Sequence, residues 1–145
     1  MKHTFLILLL SLIACFHAGA QEGLNLPNQP SGKLAPKIRI EVKGRRLKPY
    51  KLTKYLSVTY EATPSAIESL DKAIRKDAQA AYDKEVGHIG GHVYYAFLCL
   101  KPHDKDVRRY VFYRNSSLSA RGKNEATYIY MEGYATLDEL KSMFK

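Results

Sequence analysis

The chain has no tryptophan and only two cysteines in its 145 residues. One of them, Cys15, lies in the apolar opening segment. Removal of that segment leaves Cys99 alone and excludes an intrachain disulfide. Cys99 sits inside an apolar run and reads as a small buried hydrophobe, with no adjacent His or Lys pattern to activate its thiol. Long apolar runs are missing too. The longest, Phe5 to Phe16, is broken by Ser11 and falls well short of the roughly 20 residues a spanning helix needs. There is no G-x-G-x-x-G, no Walker pattern and no G-x-S-x-G, so nothing marks a dinucleotide site, a P-loop or a serine nucleophile. Acidic residues are nearly absent from one stretch. Between residues 21 and 60 only Glu22 and Glu41 oppose nine bases, whereas between residues 61 and 145 thirteen bases meet twelve acids. Such asymmetry speaks of partners rather than of fold.

The opening segment gives an address. Met1-Lys2-His3 is a short basic start, the apolar run follows, and Ala18-Gly19-Ala20 places small residues two apart before Gln21. Residues 1–20 therefore read as a secretory signal peptide, which predicts an exported protein, periplasmic or secreted, maturing near Gln21. Leu12-Ile13-Ala14-Cys15 also resembles a lipobox, which would anchor the protein by a lipid on Cys15. Ile13 fits that pattern poorly, so plain cleavage is the expectation.

Residues 21–36 hold Gly23, Pro27, Pro30, Gly32 and Pro36 and read as a flexible arm. Residues 37–145 then read as a single domain. Ile38, Ile40 and Val42 alternate with polar neighbours, as do Leu56, Val58 and Tyr60, giving two half-buried strands. Thr63-Pro64 opens a helix, since Thr caps and Pro suits the first turn. Its stripe is Ile67, Leu70, Ile74, Ala78 and Ala81. Glu68 with Lys72 and Asp71 with Arg75 are helix-favouring pairs, and Gly87 is its end signal. Three strands follow at His92–Leu100, Arg108–Arg114 and Ala126–Glu132. A capping box, Thr136-Leu137-Asp138-Glu139, starts a last helix presenting Leu137, Leu140, Met143 and Phe144 to the core. The expectation is an α+β, two-layer sandwich of order β-β-α-β-β-β-α, with a mainly antiparallel sheet of about five strands and both helices on one face.

Three features carry possible function. Lys43 to Lys54 holds six bases, Lys43, Arg45, Arg46, Lys48, Lys51 and Lys54, and no acid. Arginine forks suit phosphate, sulfate or carboxylate groups, and Tyr50 or Tyr55 could stack on a ring. The ligand-binding candidates are thus Lys43, Arg45, Arg46, Lys48, Tyr50, Lys51 and Lys54. Their partner would be an anionic glycan, lipopolysaccharide or an acidic protein. Nucleic acid is the poorest fit after export, and the bland reading is a solvated loop. His88-Ile89-Gly90-Gly91-His92 has two imidazoles four apart. With His103, and Asp83 or Glu85, it could serve a metal-dependent or acid–base enzyme, but the Gly pair argues against the helix such spacing needs, and an exposed turn explains it as well. Finally, Tyr94, Tyr110, Tyr128 and Tyr130 fall on neighbouring strands. They could form a stripe on an open sheet face for pairing with a partner, or be ordinary sheet packing. No cofactor, metal site or catalytic residue is expected.

Several stretches together carry a family likeness: Gly23-Leu24-Asn25, Val42-Lys43-Gly44-Arg45, Leu47-Lys48-Pro49-Tyr50, Asp77-Ala78, Asp83-Lys84-Glu85, Arg109 to Asn115, Ile129 to Gly133 and Ala135-Thr136-Leu137. The chain resembles a family of small exported Bacteroidetes proteins of unknown function. The resemblance implies a bacterial envelope location and supplies neither a ligand nor a catalytic residue. The expected function is a non-enzymatic binding or accessory module.

Overall fold

In the computed structural model of the protein, residues 34–102 and 104–143 are described. Residues 1–33, which include Cys15, the leader expected at 1–20 and most of the 21–36 arm, lie outside them, as do His103, Phe144 and Lys145. Six strands run in the order β1 (Ile38–Lys43), β2 (Leu52–Glu61), β3 (Asp83–Ile89), β4 (His92–Leu100), β5 (Arg108–Asn115) and β6 (Glu125–Gly133). Helix α1 (Pro64–Ala80) joins β2 to β3, α2 (Leu137–Met143) follows β6, and 3-10 helices occupy Gly44–Tyr50 and Ser116–Leu118. The strands form one antiparallel sheet in the spatial order β1-β2-β6-β5-β4-β3. The α+β, antiparallel architecture expected from the sequence is therefore the one found.

Two details differ from expectation. The sheet has six strands, not about five, because α1 ends at Ala80 rather than near Gly87. Residues 83–89 then pair with β4 as an edge strand. The physical signal for this hairpin is Gly90-Gly91, whose φ angles of 58° and 80° make the two-residue turn that matches strand twist. The helices also take opposite faces. Leu70, Ala73, Ile74 and Ala78 of α1 pack on Leu56, Val58, Leu98, Val111, Tyr113, Tyr128 and Tyr130. Leu140 of α2 and Leu47 of the Gly44–Tyr50 helix pack on Val42, Tyr55, Phe97, Tyr110, Ile129 and Met131. Period-2 strands that are apolar on both sides, as β4 and β6 are, need cover on both. Leu70, Ile74 and Leu140 are wholly buried, each contributing about 1.5–3 kcal/mol by leaving water.

The caps follow the sequence. Thr63 Oγ1 accepts from Ala66 N at 3.2 Å, and Pro64 takes the first helical position. Thr136 and Glu139 exchange the two hydrogen bonds of a capping box. One expected helix pair is replaced. Asp71 does not serve Arg75 but faces inward, accepting from Val93 N at 3.1 Å and lying 2.7 Å from His92 Nδ1. Arg75 donates instead to Gly91 O at 2.7 Å. A buried backbone N–H without a partner is costly, so the carboxylate goes to the hairpin, and α1 is clasped to the β3–β4 turn by two side chains.

Candidate functional site

The basic stretch 43–54 is split by the end of β1. Lys43 pairs across the strands with Lys54, Lys54 with Glu132, and Glu132 with Arg109, so these four stand in one row on the α1 face. Lys43 Nζ lies 3.0 Å from Glu41 Oε1. Lys54 is half-buried, with Nζ 5.6 Å from the centroid of the Tyr130 ring. Arg109, buried beside them, donates from Nε to Tyr130 Oη at 2.8 Å, and Tyr130 donates in turn to Glu132. Burial raises the Tyr130 phenol well above its ordinary value, with the neighbouring Glu132 adding to it. The bases of this row are thus tied to neighbours on the same face.

The other bases are placed differently. At Gly44 (φ 81°) the chain turns into the 3-10 helix, and at Lys51 (φ 55°) it leaves through a left-handed residue. With three residues per turn, positions three apart align. Leu47, fully buried, and Tyr50, packed against the core, point inward together. Arg45 and Lys48 therefore share an outer ridge, with Arg46 beside them, and all three are exposed. Among the described residues none of the three has a carboxylate within ion-pair distance. Lys51 differs, for its ammonium is paired with Glu139. That contact holds the Glu139 carboxyl below its usual range.

The seven candidates thus do not form one surface. Arg45, Arg46 and Lys48 stay together as an exposed basic cap. Lys43 and Lys51 are each paired, Lys54 lies over an aromatic ring, and Tyr50 faces the core. Tyr55 is no stacking platform either, since it is 5% exposed and burial pushes its phenol up to about 12. Reading along the sequence missed residues that the strand order brings to the same end of the sheet. Exposed Tyr134 follows β6, exposed Arg108 opens β5, exposed Lys101 follows β4 and exposed Tyr82 precedes β3. They lie far apart in the chain, and only the turn positions between strands hint at them.

The remaining candidates separate. His88 and His92 are exposed on the two arms of the β3–β4 hairpin, and His92 is committed to Asp71. Among the described residues no three His, Cys, Asp or Glu side chains gather as a metal site needs. The tyrosine stripe does not exist as expected. Tyr128 and Tyr130 lie under the α1 side, Tyr110 belongs to the α2 side, and all three are at most 2% exposed. Their apolar rings serve the two cores, which is where cross-strand aromatics gain most. Cys99 is buried, and desolvation raises its thiol, which suits packing rather than nucleophilic chemistry. Among the described residues no helix is long and apolar enough to cross a membrane.

These features define a small α+β protein with a covered antiparallel sheet and a basic cap at one sheet end. The chain belongs to a family of unknown function, DUF6108, whose model matches residues 13–144. No curated protein and no solved structure matches it.

Proposed function

We propose that the protein is an exported, non-enzymatic binding or accessory module of the bacterial envelope, and that its basic cap contacts an anionic ligand or an acidic partner protein. One observation carries this reading. Arg45, Arg46 and Lys48 are exposed and, among the described residues, have no carboxylate within ion-pair distance, yet are held in place by the buried Leu47 between them. Free guanidinium groups on a fixed backbone are suited to phosphate, sulfate or carboxylate. A solvated loop kept only for solubility has no need of an anchored core residue at its centre. Export rests on the leader pattern of residues 1–20.

The chain from Gln21 onward, which retains every strand and helix described, should be retained on immobilised heparin and elute as salt rises through the range where the Debye length contracts below roughly 10 Å. The triple variant R45E/R46E/K48E should flow through while unfolding at the same temperature as the parent. Reversing Lys72 and Lys76, exposed on α1, should leave retention nearly unchanged. Equal loss from both variants would reduce the effect to net charge and end the proposal.

A further inference from the structure

The partner of the basic cap can be narrowed, on the premise that the cap is a binding surface. Strand ends bring four connections to one rim of the sheet. In spatial order across it stand Arg45, Arg46 and Lys48 beside β1 and β2, Tyr134 after β6, Arg108 at β5, Lys101 after β4 and Tyr82 before β3. Six strands about 4.8 Å apart make this rim roughly 24 Å long. Among the described residues the exposed large apolar side chains are Ile38, Tyr82, Ile89 and Tyr134. Both tyrosines belong to the basic rim, at 61% and 56% exposure, while the isoleucines lie at the other end. The rim's acids are accounted for in part. Glu139 pairs with Lys51 and Asp83 accepts from Lys84 N, while Asp104 and Asp106 sit among Lys101, Lys105 and Arg108 in one loop.

We propose that this rim lies against the phosphate-bearing headgroups of an anionic lipid bilayer. Bases spread in a line suit a charged plane. Exposed tyrosines add an apolar ring with a polar tip, the combination that settles at headgroup depth. A dissolved acidic polymer would read the charges alone and give Tyr82 and Tyr134 no role.

The test uses the chain from Gln21 onward, vesicles of phosphatidylglycerol with phosphatidylethanolamine, vesicles of phosphatidylcholine, and heparin as a soluble polyanion. Sedimentation with the anionic vesicles, weakened by salt and absent with phosphatidylcholine, is expected. Each base near such a surface is worth roughly fivefold in affinity, so R45E/R46E/K48E should lower vesicle binding by more than about a hundredfold. Y82S/Y134S should lower it by roughly tenfold and leave heparin retention unchanged. Heparin retention without vesicle binding would overturn the bilayer assignment and leave the anion-binding cap standing. Vesicle binding indifferent to Y82S/Y134S would also overturn it. Loss of both interactions in the parent chain would remove the cap itself. Both tyrosines are exposed, so matched thermal unfolding of Y82S/Y134S and parent confirms that the variant reports on contact rather than on folding.

Discussion

Replacing Leu47 with alanine tests how the basic cap is held. Leu47 is wholly buried and belongs to the cluster of Val42, Leu52, Tyr55, Met131, Ala135 and Leu140. Truncating a buried leucine removes its transfer energy and leaves a void, for a loss of about 2–5 kcal/mol. The 3-10 helix is short and lies at the rim, where the backbone can settle inward, so the lower part of that range is expected, about 3 kcal/mol. For a domain of this size that is roughly a 13 °C fall in unfolding temperature. Single domains are typically stable by about 5–15 kcal/mol, so the variant should still fold. Urea and thermal unfolding, followed by far-UV circular dichroism, measure the loss. Heparin retention of the folded variant then reports whether the cap depends on its anchor. Arg45→Ala, at an exposed position, should change stability by less than about 0.5 kcal/mol. A Leu47→Ala loss under about 1 kcal/mol, or a comparable loss from Arg45→Ala, would refute the view that Leu47 pins the cap to the core.

Asp71→Ala should cost about 1–3 kcal/mol in urea unfolding, because Val93 N–H is left buried without its carboxylate. His92→Ala should cost less, since His92 is exposed. Burial raises the phenols of Tyr55, Tyr113, Tyr128 and Tyr130. Neutral tyrosine is thus favoured in the fold, and stability is complete below the ordinary value of 10 and is lost as pH rises past it. Ionisation followed by absorbance, undisturbed by tryptophan, should therefore show these groups titrating together with unfolding rather than independently. Glu139 and Glu125 are held below the usual 4.5 by Lys51 and Lys37. Their contribution is complete above that value and is lost as pH falls through their lowered values. Both are half-exposed and their lysine partners are exposed, so the acid loss of unfolding temperature should be small and should shrink further in high salt.

Much of the fold was legible because its signals are local. Thr63-Pro64 and the Leu70–Ile74–Ala78 stripe mark α1, and the opposed sets Tyr110/Phe112 and Val111/Tyr113 mark β5 correctly. Strand β3 was not legible by pattern, since Asp83–Ile89 is exposed or half-exposed throughout. An edge strand with little to bury writes no hydrophobic alternation, and the only cue is its Gly-Gly turn. The side each helix takes was also hidden, because a strand buried on both faces does not say which helix covers which. At the candidate site, the clustering of Arg45, Arg46 and Lys48 was legible as charge. The neutralisation of Lys43 by Glu41 was visible as sequence proximity but not as pairing. The inward turn of Tyr50 and the arrival of Tyr134, Arg108 and Tyr82 at the same rim depend on a strand order that no local window contains.

The place of β6 has a consequence for how the molecule comes into being. Last of the strands to be made, it is inserted between β2 and β5, and the β1–β2 hairpin touches the rest of the sheet only through it. A chain emerging amino-terminus first can assemble β3, β4 and β5 as a meander while that hairpin waits, unzipped on one side. Closure comes only when residue 133 is free. Such late, long-range pairing is slow, so the polypeptide stays pliable until its final strand has been made.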